Sequence, residues 1–340
     1  MKIAGLDIGG ANTDLAIVDF KENKINSIKI EYEYLPMWSN NHELTERLKK
    51  LIEKICPIES LDAVCISMTS ELVDAYETKK EGVLDVVYKC ESLFNCPIAF
   101  VGQNGVISLD NIKNNPLDAA AANWIATSQI ASLINENCIF IDTGSTTTDI
   151  IPIKNGKECA IGRTDYERLA TGELVYTGTL RTNLASFLDK IPINGKEYRI
   201  ASELFAQTAD IYMVLDKITI NDYICDTFDG KPKEKIDCAR RISRVVCSDL
   251  DYLSYDKIVE ISKFIHKEQV KQIADCLNQV VKCQNLDFVV TTGLGKDILA
   301  YEAAKLLNLK IKSMDELLTH EECIVAPAIG AAILMDKYLN

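Results

Sequence analysis

The hydrophobic and polar positions in the first third of the chain predict three neighbouring strands followed by alternating helices and strands. Short apolar runs predict the strands, and apolar residues at helical spacing predict the helices. In chain order the predicted elements are strands at 2–9, 13–20 and 24–32, a helix at 42–55, a strand at 62–67, a mostly helical stretch at 70–92 and a strand at 98–101. This order is typical of an α/β fold.

The same pattern returns in the rest of the chain. The predicted elements there are a helix at 117–134, strands at 138–142, 147–153 and 157–161, helices at 199–216, 233–248 and 256–283, a strand at 286–291, a helix at 296–307, a strand at 309–312 and a helix at 322–338. LDIGGANTDLAIV and IDTGSTTTDIIPI align without gaps. We therefore expect two duplicated α/β halves, 1–115 and 116–340, facing a central cleft, with an insertion at 162–255 in the second.

The composition is that of an ordinary globular protein of 340 residues, 47% hydrophobic and 26% charged. The net charge is −13, so we expect neither nucleic acid nor an anionic membrane as a partner, because both need clustered Lys and Arg. No apolar run reaches the ~18 residues that span a bilayer and no signal peptide is recognisable, which favours the cytoplasm. The twelve cysteines form no CxxC pair, which favours reduced thiols.

A glycine turn joins the first two predicted strands. Gly9 and Gly10 let the backbone approach a ligand closely, and Asn12 and Thr13 add polar groups. Asp7 ends the first strand with a carboxylate, which suits Mg²⁺ held partly through water. The turn is a candidate phosphate site, although an ordinary hairpin is the better explanation when the turn is considered alone.

A second turn occupies the equivalent position of the second half. Asp142 corresponds to Asp7, Gly144 repeats the glycine, and hydroxyl residues follow at Ser145, Thr146 and Thr147. A diphosphate or triphosphate offers many acceptor oxygens to such a turn. The two turns together predict a polyphosphate site in which Asp7 and Asp142 hold Mg²⁺ and take part in catalysis.

A third glycine signal follows the predicted strand at 286–291. Gly293, Gly295 and Lys296 stand where that strand gives way to a helix, and a helix N-terminus binds anions through its unpaired amides. The last helix contains the small residues PAIGAA from Pro327 onward, which predict close packing against the helix at 117–134.

These four signals, in this order, resemble the superfamily of acetate kinase, sugar kinases, hsp70 and actin. The resemblance implies two ribonuclease-H-like (actin-like) halves. The forms LDIGGANTD and IDTGSTTTD resemble the hydantoinase A/oxoprolinase branch. The segment RTDYERLATGELVYTGTLRT is similar to short members of that branch in tetrahydromethanopterin-linked C1 transfer pathways, the methanofuran-biosynthesis synthases of methanogens.

This resemblance implies a transferase of an alkyl group other than methyl. It would join 5-(aminomethyl)-3-furanylmethyl diphosphate to the phenol of γ-glutamyltyramine, form an ether and release diphosphate, without requiring ATP. Asp165 and Glu173 are then candidates to deprotonate the phenol or steady a cation. The implied substrate-binding residues are Arg163, Arg168, Tyr176 and Arg181.

Two other functions stay open at this point. One is an ATP-dependent kinase or a hydantoinase/oxoprolinase-like hydrolase, supported by the third glycine turn as a contact for adenosine. The other is a non-enzymatic, nucleotide-switched activator. The sequence does not fix the oligomeric state, and a homo-oligomer is one candidate.

Overall fold

The computed structural model describes residues 1–22, 24–120 and 122–340, and it divides into two compact units. Unit 1 comprises Met1–Asn137, Ile153–Cys159 and Met314–Asn340, and unit 2 comprises Cys138–Pro152 and Ala160–Ser313. This division differs from the predicted boundary between 115 and 116. The reason is that two helices beyond that boundary, at 123–134 and 326–339, pack against the sheet formed by the first strands.

Fourteen strands are present in the described residues. They are β1 (Lys2–Ile8), β2 (Asn12–Lys21), β3 (Lys24–Tyr34), β4 (Ala63–Met68), β5 (Ile98–Gly102), β6 (Gly105–Ser108), β7 (Cys138–Thr143), β8 (Thr148–Lys154), β9 (Lys157–Glu158), β10 (Leu174–Val175), β11 (Lys190–Ile193), β12 (Lys196–Arg199), β13 (Phe288–Thr292) and β14 (Lys310–Ser313).

Twelve α-helices accompany them in the same described ranges. They are α1 (Met37–Asn40), α2 (Leu44–Glu53), α3 (Lys79–Leu93), α4 (Leu109–Asn114), α5 (Asn123–Ile134), α6 (Asp165–Thr171), α7 (Thr208–Val214), α8 (Lys235–Arg244), α9 (Tyr255–Gln284), α10 (Tyr301–Leu306), α11 (His320–Ile324) and α12 (Ala326–Leu339).

The central strands of the two large sheets have the same order. The first runs β3-β2-β1-β4-β5-β6, and the second runs β10-β8-β7-β13-β14 with β9 also paired to β8. In the first sheet β1 pairs antiparallel with β2 and parallel with β4. In the second, β13 pairs parallel with both β7 and β14. The predicted duplication is confirmed, with β7, β8 and β13 standing where β1, β2 and β4 stand.

Helix α12 lies against β1 and α5 with its backbone almost in contact with theirs. A Cβ atom added to Gly5 would lie 1.8 Å from the carbonyl oxygen of Ala328, and one added to Gly330 would lie 1.9 Å from that of Ala126. Only glycine permits such an approach. The predicted packing of the small-residue helix against the preceding Ala-rich helix is therefore confirmed. Ala121, part of that predicted helix, lies outside the described residues.

Several predicted helices differ from the observed ones, and the helix predicted at 117–134 becomes α-helical only at Asn123. The stretch at 70–92 becomes helical only at Lys79, where the side chain of Thr78 caps the helix by accepting from the Glu81 amide at 3.2 Å. The helix predicted at 199–216 is limited to α7, because Arg199 ends β12 and residues 200–207 form no helix. The helix predicted at 322–338 is divided at Val325 into α11 and α12.

The hairpin β11–β12 was not predicted, although the sequence contains its signal. Asn194 and Gly195 form its two-residue turn with φ values of 52° and 76°. This left-handed pair is the conformation that an Asn-Gly dipeptide favours. The Asn155-Gly156 dipeptide makes the same kind of turn between β8 and β9.

Candidate functional site

The first two glycine turns have the same backbone geometry. The Gly9 amide donates to the Asn12 carbonyl at 2.9 Å, and the Gly144 amide donates to the Thr147 carbonyl at 3.0 Å. Each turn links two neighbouring strands of its own sheet, β1 to β2 and β7 to β8. The duplicated sequence motif is therefore a duplicated structural motif.

Each turn carries a pair of carboxylates. In unit 1, Asp7 lies directly opposite Asp14 in the β1–β2 register, and the hydroxyl of Ser67 on β4 donates to Asp7 Oδ1 at 2.6 Å. Burial raises the pKa of Asp7 to about 6, although the hydrogen bond from Ser67 opposes this shift. Burial and the nearby Asp7 charge raise the pKa of Asp14 to about 7. Two desolvated acids therefore share the end of this hairpin.

The equivalent acids of unit 2 are Asp142 and Asp149. Burial, with the charge of Asp149, raises the pKa of Asp142 to about 7. Burial also raises the pKa of Asp149, and the guanidinium of Arg168 opposes that effect. Arg168 Nη2 lies 2.6 Å from Asp149 Oδ1, and the arginine side chain is only 2% exposed. Arg168 therefore neutralises one acid of the second pair, which favours a structural role over a substrate contact.

The third glycine turn packs directly on the second. Gly293 has a φ of 87°, and a Cβ atom there would lie 2.4 Å from Asp142 Oδ1. The amide of Gly295 donates to the carbonyl of Thr143 at 2.9 Å. Lys296 then begins a short π-helix, Lys296–Ala300, which continues into α10. The structure thus brings the predicted phosphate residues Gly144, Gly293 and Gly295 together within unit 2.

The loop before α7 crosses the second turn. The amides of Leu180 and Arg181 both donate to the carbonyl of Ser145 at 2.9 Å, and the amide of Thr179 donates to that of Gly144 at 2.9 Å. A Cβ atom at Gly178 would lie 2.6 Å from the backbone of Thr146. The predicted substrate residue Arg181 is therefore fixed, at its backbone, to the candidate phosphate turn.

Most of the RTDYERLATGE segment forms and anchors helix α6. Thr164 and Glu167 make a reciprocal capping box, and Gly172 ends the helix in the left-handed conformation at φ 77°. Glu173 is 1% exposed, and its carboxylate accepts from the amides of Ile161 and Gly162, each at 2.7 Å. It also accepts from the hydroxyl of Thr171 at 2.7 Å. These bonds favour a structural role for Glu173.

The other residues of this segment are more accessible. Asp165 has a side chain that is 62% exposed and lies 3.6 Å from the Arg168 guanidinium. Arg163 is half-buried, and its amide donates to Glu167 Oε2 at 2.8 Å. Tyr176 is 66% exposed. Of the two carboxylates that the resemblance offered as bases, Asp165 is the accessible one.

A cavity of about 550 Å³ lies in unit 2 next to the second turn. Thr146 forms one edge of it, and Tyr176 and Arg181 contribute to its wall. A volume of this size accommodates a drug-sized ligand. The site can therefore place an organic group beside a turn whose geometry suits phosphate.

The profile of the hydantoinase/oxoprolinase family matches residues 62–338, which is most of the chain. The chain belongs to the hydantoinase/oxoprolinase family. Two curated members of known name are similar to it, and both are (4-{4-[2-(gamma-L-glutamylamino)ethyl]phenoxymethyl}furan-2-yl)methanamine synthases. The protein of Methanocaldococcus jannaschii is 39% identical, covering 99% of this chain and 98% of that protein. The protein of Methanococcus vannielii is 41% identical, covering 62% of this chain and 96% of that protein.

Solved structures support the fold of this family member. The Lmo2764 protein of Listeria monocytogenes has a TM-score of 0.52 at 12% identity, with all of both chains covered. The ROK hexokinase of Thermus thermophilus has a TM-score of 0.51 at 13% identity, also with all of both chains covered. These similarities confirm the predicted actin-like α/β fold of duplicated halves.

Asp14 and Asp149 were not predicted as site residues. The signal was present, because both fall at the same position of the aligned motifs.

In the described part of the chain, no group of three or more His, Cys, Asp or Glu side chains is arranged to hold a metal ion. A search of the same residues finds no helix long and apolar enough to cross a membrane.

Proposed function

We propose that this protein forms an aryl ether by transferring a furanylmethyl group from its diphosphate to the phenol of γ-glutamyltyramine. The main support is the 39% identity, over nearly the whole chain, to a synthase whose name describes this ether. Cleaving the ether in that name gives a phenol with a γ-glutamylaminoethyl tail and a furan with an aminomethyl group. The bond from the phenol oxygen to the furanylmethyl carbon forms, while the bond from that carbon to diphosphate breaks.

The turn in unit 2 supplies groups for the leaving diphosphate. The hydroxyls of Ser145 and Thr146 can donate to its oxygens as negative charge accumulates on them. Lys296 follows the adjoining turn at Gly295 and adds a cation. Stabilisation of the departing diphosphate is the largest demand of this reaction, because a furanylmethyl carbon ionises readily once the leaving group departs.

The acids of the turns fit Mg²⁺ in their chemistry. Mg²⁺ is commonly bound by one or two carboxylates together with phosphate oxygens and water. Within unit 2, Asp142 is the residue that would hold the ion, since it is a desolvated carboxylate at the start of its turn. Within unit 1, Asp7 has the corresponding position and chemistry. When bound, the ion would supply positive charge to the leaving diphosphate.

The phenol proton needs an acceptor, and Asp165 is the candidate that the structure favours. Its carboxylate is exposed, whereas that of Glu173 is occupied by three donors. The guanidinium of Arg168 lies 3.6 Å from this carboxylate. Arg163, in the same segment, is a candidate contact for diphosphate or for the tail of the acceptor.

The direct test is a reaction of the purified protein with furanylmethyl diphosphate, γ-glutamyltyramine and Mg²⁺ in the absence of ATP. We expect the ether by mass spectrometry together with an equal amount of diphosphate. An Asp142→Ala variant that remains folded by circular dichroism is the control, and it should form no ether. Absence of ether at any Mg²⁺ concentration, with or without ATP, would reject the proposal.

An ATP-dependent enzyme is the second candidate, supported by the packing of the Gly293–Gly295 turn on Asp142. In that arrangement one turn could face phosphate and the other adenosine. Calorimetry with ATP and Mg²⁺ distinguishes the two functions. Tight, Mg²⁺-dependent binding favours the ATP-dependent enzyme, and absence of binding at millimolar ATP rejects it.

A further inference from the structure

The wall of the cavity in unit 2 includes one face of helix α9. Gln269, Gln272, Cys276 and Gln279 share this face because they follow the helical repeat. Gln269 donates to the Thr177 hydroxyl at 2.8 Å and to the Gly178 carbonyl at 2.9 Å. Gln279 donates to the Ala170 carbonyl at 3.2 Å. These two glutamines fix the loops on either side of the cavity.

Gln272 lies between them and contributes directly to the cavity wall. Its Oε1 atom is buried and accepts no hydrogen bond from the described residues. A buried carbonyl oxygen without a donor is unfavourable, because it has given up its hydrogen bonds to water. Rotation of the terminal amide exchanges Oε1 with Nε2, so the side chain can present its oxygen to an N–H group brought into the cavity.

Arg181 carries the charge on the cavity wall. Among the described residues that line the cavity, no other is Asp, Glu, Lys, Arg or His. Within residues 1–22, 24–120 and 122–340, no carboxylate lies within ion-pair distance of Arg181. Its side chain is exposed while its backbone is fixed to Ser145. A guanidinium placed in this way is suited to bidentate binding of a carboxylate.

The remainder of the wall is largely apolar. Leu174 and Val175 are buried beneath it, and Phe187 is half-buried at its side. Tyr176 adds an exposed ring. Flat aromatic ligands bury most of their area against walls of this kind.

We infer that this cavity binds the phenolic acceptor, with Arg181 paired to the carboxylate of the γ-glutamyl tail and the Gln272 oxygen accepting from an N–H of the same tail. The aromatic ring then lies on the apolar wall that ends at Thr146. This inference rests on the proposed function for the identity of the acceptor. It assigns specificity for the γ-glutamyl group to Arg181 and Gln272.

Binding is measured first without any reaction, by calorimetry of the full chain with γ-glutamyltyramine or with tyramine, which lacks the glutamyl group. We expect γ-glutamyltyramine to bind at least ~10-fold more tightly, and Arg181→Met to remove that difference. Arg199→Met is the matched control, because Arg199 is an exposed arginine on β12 that does not line the cavity, and it should bind like the wild type. Equal binding of the two compounds to the wild type would overturn the inference.

Kinetics then separate the acceptor from the diphosphate. Arg181→Met and Gln272→Leu should each raise KM for γ-glutamyltyramine, by ~10-fold or more for Arg181, while KM for the diphosphate stays within about twofold. If Arg181→Met raises KM for the diphosphate instead, Arg181 belongs to the leaving group and the inference is wrong. If Arg181→Met does not fold, Arg181→Lys, which keeps the charge and loses the bidentate geometry, takes its place.

The two proposals fail in different ways. A wild-type protein that forms no ether rejects the proposed function, but the calorimetric comparison still decides whether the cavity recognises the γ-glutamyl group. Ether formation with equal use of tyramine and γ-glutamyltyramine supports the function and overturns the inference.

Discussion

Replacing Glu173 by Gln distinguishes a catalytic base from a structural anchor, because the two residues have the same shape. The carboxylate accepts from the amides of Ile161 and Gly162 and from the hydroxyl of Thr171, all at 2.7 Å. Glutamine keeps one acceptor oxygen and places an NH₂ group opposite a backbone donor. The variant loses at least one charge-assisted hydrogen bond and leaves a buried amide without a partner. We expect the free energy of unfolding to fall by about 2–4 kcal/mol.

Two measurements check this expectation: urea unfolding followed by circular dichroism, and kcat at a temperature at which the variant is fully folded. We expect a large loss of stability with kcat changed by no more than a few-fold. Glu167→Gln is the control, because Glu167 belongs to an exposed capping box and the variant should lose much less stability than Glu173→Gln. The reasoning is refuted if Glu173→Gln unfolds like the wild type while kcat falls ~100-fold or more, as expected for loss of a general base.

Three further predictions concern the turns and the helix packing. In metal-free buffer Asp142 should make the folded protein less stable as the pH rises from about 4 to about 7, by at most ~4 kcal/mol, because the pKa of Asp142 is higher in the folded state. Asp142→Asn should reduce both this pH dependence and any stabilisation by Mg²⁺ in thermal unfolding. An unchanged pH profile would contradict the prediction. Lys296→Ala should raise KM for the phosphorylated substrate, and an unchanged KM would place that turn outside the site. Gly330→Ala should lower the melting temperature by several degrees or prevent folding, since the new methyl group would overlap the Ala126 carbonyl; a melting temperature like that of the wild type would show that α12 can move away.

The sequence was sufficient to predict the features that are local in the chain. The aligned glycine turns, the order of the strands around them and the close approach of the Gly330 helix all follow from residue types at short spacing. The Asn194-Gly195 hairpin has an equally local signal, but no element was predicted between 162 and 198.

The roles of individual charged residues were harder to predict, because they depend on distant partners. Arg168 on α6 is committed to Asp149 on β8, and Glu173 is committed to the amides of the preceding loop. Neither pairing has a signature in the spacing of the residues. The opposite holds for Asp14, whose proximity to Asp7 follows from the pairing of β1 with β2 once the hairpin is recognised.

The contact between β1 and α12 has a consequence for how the protein is made. Gly5 and Ala328 touch, yet they lie far apart in the order of synthesis. The apolar face of the first sheet therefore stays uncovered while the ribosome produces nearly all of unit 2, a situation that exposes a nascent chain to aggregation or to chaperones. Cotranslational folding of unit 2 can finish first, and unit 1 closes only after α12 has left the exit tunnel.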